Sequence, residues 1–66
     1  MIVVVNGVRT DVPPGSTIST LIERLGLARS IVAAEVNKQL VPRKEHSTRP
    51  LVEGDSIEIV SLVGGG

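Results

Sequence analysis

Residues 2–12 read IVVVNGVRTDV, and this stretch decides how the fold begins. Four apolar residues are followed by Asn6-Gly7 and then by alternating apolar and polar residues up to Val12. Asn-Gly favours a type I′ turn, because both central positions of that turn need a positive φ. The stretch therefore predicts a β-hairpin. The hairpin ends before Pro13-Pro14, since proline cannot donate to a β-ladder.

An amphipathic helix is predicted to follow the hairpin. Either Ser16 or Thr17 can supply its N-cap, because a hydroxyl oxygen accepts from the free amides of the first turn. Apolar side chains then recur at helical spacing: Ile18, Leu21, Ile22 and Leu25. Gly26 suits the left-handed residue that ends a helix. The pattern predicts a helix of about three turns with Leu27 folded back over its end.

The rest of the chain predicts a second hairpin and a final strand. Residues 31–36 form a strand run, 37–38 a turn, and 39–41 the return strand. The polar segment 43–50 reads as a loop with one helical turn. The last strand is predicted over 56–62, where apolar and polar residues alternate.

The order hairpin, helix, hairpin, loop and strand is typical of a small α+β domain. In this β-grasp arrangement, a mixed sheet of four to five strands packs on one main helix. We expect the domain to cover residues 1–62 and a flexible glycine tail to cover 63–66. In the last strand, Ile57 and Ile59 are predicted to face the helix.

The composition excludes several classes of function. The 66 residues include no Cys and no aromatic residue, and their formal net charge is zero. Disulfides, Cys-based metal sites, base-stacking platforms and a general field for nucleic acid are therefore not expected. No apolar run approaches the ~20 residues of a membrane span. These features predict a cytoplasmic protein that binds no nucleic acid, membrane or metal.

The side chains offer little for catalysis. The one His, His46, lies between Glu45 and Ser47 in the polar loop, and sequence neighbours in a loop do not form a triad. We therefore interpret His46 as a solvated loop residue. Asp55 is predicted to bond backbone amides in a turn, and with Glu58 it is also a candidate to meet a basic partner surface. No catalytic residue is predicted.

The three glycines at 64–66 are the remaining candidate for chemistry. Residues 63–66 reach about 13–14 Å when fully extended, and glycine can enter a channel too narrow for other residues. The carboxylate of Gly66 would then be the reactive group. A frayed tail or a remnant of cloning are the alternative interpretations.

Short motifs along the whole chain resemble one known family. The motifs are Val5-Asn6-Gly7, Gly15-Ser16-Thr17-Ile18 with Leu21 and Leu25, Val36-Asn37, Val41-Pro42-Arg43, Leu51, Gly54-Asp55, Ile57-Glu58-Ile59-Val60 and Gly65-Gly66. Together they resemble the ThiS-type sulfur carriers of thiamine biosynthesis, which are β-grasp proteins related to ubiquitin. The third glycine, Gly64, and the segment HSTRP at 46–50 depart from the family pattern.

The resemblance implies a carrier and co-substrate, not an enzyme. A ThiF-like adenylating enzyme would use ATP and Mg²⁺ to adenylate the carboxylate of Gly66. Sulfur from a cysteine desulfurase or sulfurtransferase system would then replace AMP, and the resulting thiocarboxylate would donate its sulfur to a ThiG-like thiazole synthase. Gly64 and Gly65 would enter the partner active sites.

A docking surface is predicted beside the tail. It comprises the outward-facing residues of the last strand and its continuation: Glu58, Val60, Leu62 and Val63.

Other functions remain open on the sequence alone. The sulfur could serve molybdopterin, a thiolated tRNA base or an amino acid. The domain could be a β-grasp interaction module with an inert tail. It could also be a modifier of the ubiquitin kind, attached to lysines through Gly66.

Overall fold

The fold is a five-stranded mixed sheet with an α-helix packed on one face. The computed structural model describes residues 1–62 of the 66-residue chain. Its elements are β1 (Ile2–Val5), β2 (Val8–Asp11), α1 (Ile18–Arg24), β3 (Val32–Val36), β4 (Gln39–Leu40), a 3-10 turn (Arg43–Glu45) and β5 (Ser56–Ser61). The strand order is β2-β1-β5-β3-β4. The predicted α+β β-grasp architecture is therefore confirmed.

The first hairpin forms as predicted. Asn6 and Gly7 both have positive φ, 49° and 83°, as the type I′ turn requires. β1 pairs antiparallel with β2, with Val3 opposite Thr10. The turn of the second hairpin also has two successive residues with positive φ, Asn37 (51°) and Lys38 (69°).

The helix is shorter than predicted, and its end explains why. Thr17 is the N-cap, and its hydroxyl accepts from the amide of Thr20. Gly26 (φ 76°) donates its amide to the carbonyl of Glu23, and Leu27 donates to Ile22, which is the Schellman pattern. This turn ends α1 after seven residues.

Leu25 is a correction to the predicted buried face of the helix. It is the C-cap residue and its side chain is 45% exposed. The reason is that the helix ends at Arg24, so Leu25, seven residues after Ile18, lies outside it. Leu27, which the turn folds back as predicted, packs against the core.

The core lies between α1 and the sheet. Its buried members are all aliphatic: Val3, Val5, Val12, Ile18, Leu21, Ile22, Ala34, Val36, Val41, Leu51, Ile57 and Ile59. The alternation predicted for the last strand is confirmed, since Ile57 and Ile59 are buried while Glu58 and Val60 are exposed. The opposite face of the sheet, here called the open face, is not covered by α1.

Candidate functional site

The strand β5 is the element that leads towards the glycines, and it lies at the centre of the sheet. It runs parallel to β1 and antiparallel to β3. Beyond its end, the amide of Leu62 still donates to the carbonyl of Ile31 at 2.8 Å. Backbone pairing beside β5 therefore continues to Leu62, the last described residue. The predicted tail, Val63 and Gly64 to Gly66, lies outside the described residues.

Asn6 ties the first hairpin to β5. Its side-chain oxygen accepts from the amide of Ile59 at 2.8 Å, and its Nδ2 donates to the carbonyl of Ile59 at 3.2 Å. The side-chain amide thus makes the two hydrogen bonds to Ile59 that the backbone of a neighbouring strand would otherwise make. Asn6 therefore has two roles: its backbone adopts the positive φ of the turn, and its side chain extends the hydrogen-bond ladder beside β5.

A second asparagine secures the start of β5. Asn37 accepts from the amide of Ser56 at 3.0 Å and donates to Oδ1 of Asp55 at 3.0 Å. The other oxygen of Asp55 accepts from the amide of Val52 at 2.9 Å. The prediction that Asp55 bonds to the backbone of its turn is confirmed for one amide, that of Val52.

The suggestion that Asp55 meets a basic partner surface is wrong. Asp55 is buried, and both of its carboxylate oxygens are engaged inside the chain. Its role is to join two turns and so to hold β5 in place.

The described members of the predicted docking surface all point into solvent. Val60 is 55% and Leu62 60% exposed, and Glu58 is also exposed. Val63, the fourth member, lies outside the described residues.

Residues that the sequence did not single out lie on the same open face of the sheet. Ala33 pairs with Val60, and Ile31 is the backbone partner of Leu62 and half exposed. Leu40, opposite Glu35, is exposed as well. The sequence could have predicted this exposure. Side chains alternate between the two faces of a strand, so if Ala34 and Val36 are buried, their neighbours in 31–36 lie on the other face.

His46 is another correction, because it is buried and not solvated. Its Nε2 lies 3.1 Å from the carbonyl oxygen of Val41. Since a carbonyl can only accept, Nε2 carries the proton. The amide of Ser19 in α1 donates to the His46 carbonyl at 2.8 Å. His46 therefore fastens the polar loop to the helix.

In residues 1–62, no group of three or more His, Asp or Glu side chains is placed to hold a metal ion. No helix of the described part is long and apolar enough to cross a membrane.

Replacing Asn6 with glycine is expected to lower the free energy of unfolding by about 1–3 kcal/mol, because two hydrogen bonds to Ile59 are lost. Glycine keeps the positive φ, so the loss reports the side chain. Urea unfolding followed by circular dichroism measures it, and the Ile59 amide should exchange faster with solvent.

Lys38→Gly is the matched control. Lys38 also has positive φ, and its side chain makes no hydrogen bond within residues 1–62, so this variant should lose no stability. Equal stability of the two variants would contradict the role given to Asn6.

The sequence and the fold of this chain are both similar to those of known proteins. The sequence model described as the ThiS family matches residues 3–66. A thiazole synthase of Paramagnetospirillum magneticum is 33% identical over 66 residues, which is 100% of this chain and 20% of the relative. This chain thus spans only a fifth of that relative's length.

Two smaller relatives match over most or all of their length. The sulfur carrier protein ThiS of Escherichia coli is 31% identical over 52 residues, or 79% of each chain. The crystal structure of the thiamine biosynthesis protein ThiS of Geobacter metallireducens superposes with a TM-score of 0.77 at 26% identity, covering 100% of both chains.

Proposed function

Because this chain belongs to the ThiS family, we propose that it is a cytoplasmic sulfur carrier protein in the synthesis of the thiazole moiety of thiamine. One observation carries the proposal: the family match runs from residue 3 to residue 66 and so includes the glycines as well as the domain. The Escherichia coli relative, which is named as a sulfur carrier, supports it.

The proposed chemistry takes place on Gly66. Its carboxylate oxygen attacks the α-phosphorus of ATP in a ThiF-like adenylating enzyme, which uses Mg²⁺, and pyrophosphate leaves. The terminal sulfur of a persulfide on a cysteine desulfurase or sulfurtransferase then attacks the carbonyl carbon. The C–S bond forms as the C–O bond to AMP breaks, and a thiol reductant cleaves the S–S bond of the resulting acyl disulfide to leave the thiocarboxylate. The carrier contributes no catalytic side chain and is a co-substrate of its partners.

Glycines suit such delivery on physical grounds. Without Cβ atoms, Gly64 and Gly65 can pass through a channel that admits little more than backbone. The open face supplies the docking surface, with Val60 and Leu62 as aliphatic contacts and Glu58 beside them. Val63 is assigned to the same surface as a proposal.

A ThiG-like thiazole synthase is the proposed sulfur acceptor. The supporting observation is that a thiazole synthase contains, within one polypeptide, a segment 33% identical to this whole chain. Fusion raises the effective concentration of two segments for each other, which is useful when they must meet.

Intact mass spectrometry tests the proposed function. The mass of the purified protein first checks that the chain ends in a free Gly66. Incubation with the adenylating enzyme, ATP, Mg²⁺ and the sulfur source is expected to raise the mass by the difference between one sulfur and one oxygen atom. The same reaction without ATP is the control and should leave the mass unchanged.

Other results would point elsewhere. A mass that never changes would contradict the carrier role and favour an inert interaction module. Covalent adducts on other proteins would favour a modifier of the ubiquitin kind. Sulfur-loaded protein that cannot support thiazole formation with the thiazole synthase would indicate a different sulfur acceptor.

A further inference from the structure

Two glutamates face each other on the open face of the sheet. Glu35 of β3 and Glu58 of β5 are direct partners in the antiparallel register. Side chains in that relation have Cβ atoms about 4.5–5.5 Å apart. Glu35 is half-buried and Glu58 exposed. Like charges directly opposite each other destabilise a sheet, so the isolated chain gains nothing from this pair.

No cation of the described chain neutralises the pair. Within residues 1–62, the one ion pair closer than 4.0 Å joins the amino group of Met1 to Asp11, at 3.4 Å. The part of the chain that the structure describes also offers no third metal ligand near the two carboxylates. Neither carboxylate therefore has an ion-pair partner among the described residues.

The surroundings of the pair favour a long cationic side chain. Leu40 is the β4 partner of Glu35 and is 68% exposed, while Val60, two residues after Glu58, is 55% exposed. An arginine can lay its methylene stem along such aliphatic surface while its planar guanidinium binds carboxylates with several donors. Lysine offers only a point charge on its stem.

We propose that Glu35 and Glu58 form an acidic seat for an arginine of the protein on which this carrier docks. The inference rests on the proposed function, which supplies the ThiF-like adenylating enzyme as the docking protein. The aliphatic residues around the seat provide contact area, and the carboxylate pair fixes the orientation and speeds association. The repulsion in the free chain is relieved when the arginine binds.

Binding of the purified adenylating enzyme, measured by calorimetry without ATP, tests the seat. Glu58→Gln is expected to weaken binding at least about tenfold, as loss of a hydrogen bond to a charged group implies. It should also reduce the salt dependence of the affinity. The free variant should unfold at the same or a higher temperature than the wild type, since the repulsion is removed.

Glu23→Gln is the matched control, because it removes the same charge from an exposed position on α1. It should leave the affinity within about twofold, since removal of one distant and screened charge acts weakly. Glu58→Arg is a second variant. It places a guanidinium opposite Glu35 inside the chain, so it should stabilise the free protein and abolish binding.

The results separate this inference from the function on which it rests. If the wild type binds and is adenylated, but Glu58→Gln binds equally well, the acidic seat is overturned and the carrier function stands. Equal losses for Glu58→Gln and Glu23→Gln would also overturn it, because net charge alone would then explain the effect. A wild type that fails to bind the enzyme overturns both.

Discussion

Deleting Gly66, or adding one alanine after it, is expected to abolish thiocarboxylate formation while leaving the domain folded. Either change moves the terminal carboxylate along the chain by about 3.3–3.6 Å. A displacement of about 1 Å from reacting geometry can already cost about a hundredfold in rate. The described core residues lie between Val3 and Ile59, so we expect a change at Gly66 to leave the free energy of unfolding unchanged.

Intact mass after incubation with the adenylating enzyme, ATP and the sulfur source measures this effect. Far-UV circular dichroism and amide NMR spectra check the fold, because the chain has no aromatic residue to report it by fluorescence. Val52→Ala is a matched control, since Val52 is 60% exposed and lies outside the proposed docking surface. An extended variant that still acquires sulfur would contradict the mechanism.

Replacing Ile57 with alanine is expected to lower the free energy of unfolding by about 2–5 kcal/mol. Ile57 is fully buried and lies in the central strand between Val5 of β1 and Val36 of β3, so its loss leaves a cavity in the middle of the sheet. The whole free energy of unfolding of a small domain is only about 5–15 kcal/mol. Urea unfolding should therefore show a midpoint far below that of the wild type.

Val60→Ala is the control within the same strand, three residues away on the open face. Because Val60 is 55% exposed, this variant should lose less than about 1 kcal/mol. Its expected effect is weaker binding to the adenylating enzyme. If Val60→Ala destabilised the chain as much as Ile57→Ala, the assignment of one face of β5 to the core and the other to docking would fail.

Local rules predicted most elements of this fold. Asn6-Gly7 specified the first turn through its need for positive φ, and the alternation in β5 specified which residues face the core. The hydroxyls at Ser16 and Thr17 and the glycine at Gly26 predict the two ends of the helix. The structure selects Thr17 as the N-cap, and the Schellman turn ends the helix earlier than the apolar spacing predicts. Each of these features depends on residues within a few positions of one another.

Features that join distant parts of the chain escaped sequence reasoning. The polar neighbours of His46 predict a solvated side chain. In the fold it is buried, with its ring against the Val41 carbonyl and its own carbonyl bonded to Ser19 of α1. The sequence also makes Asp55 a candidate to meet a basic partner surface, but in the fold Asn37 and the amide of Val52 bind its two oxygens.

The sequence by itself determined the hairpins, the helix, the two faces of β5 and the resemblance that directs attention to Gly66. Hydrogen-bond geometry and side-chain periodicity act over short stretches, so they can be read along the chain. Tertiary structure alone decided that β5 lies between β1 and β3, that Glu35 faces Glu58, and that Asn6 braces Ile59. Strand register between residues far apart in sequence is set by how the whole core packs, and no local pattern specifies it.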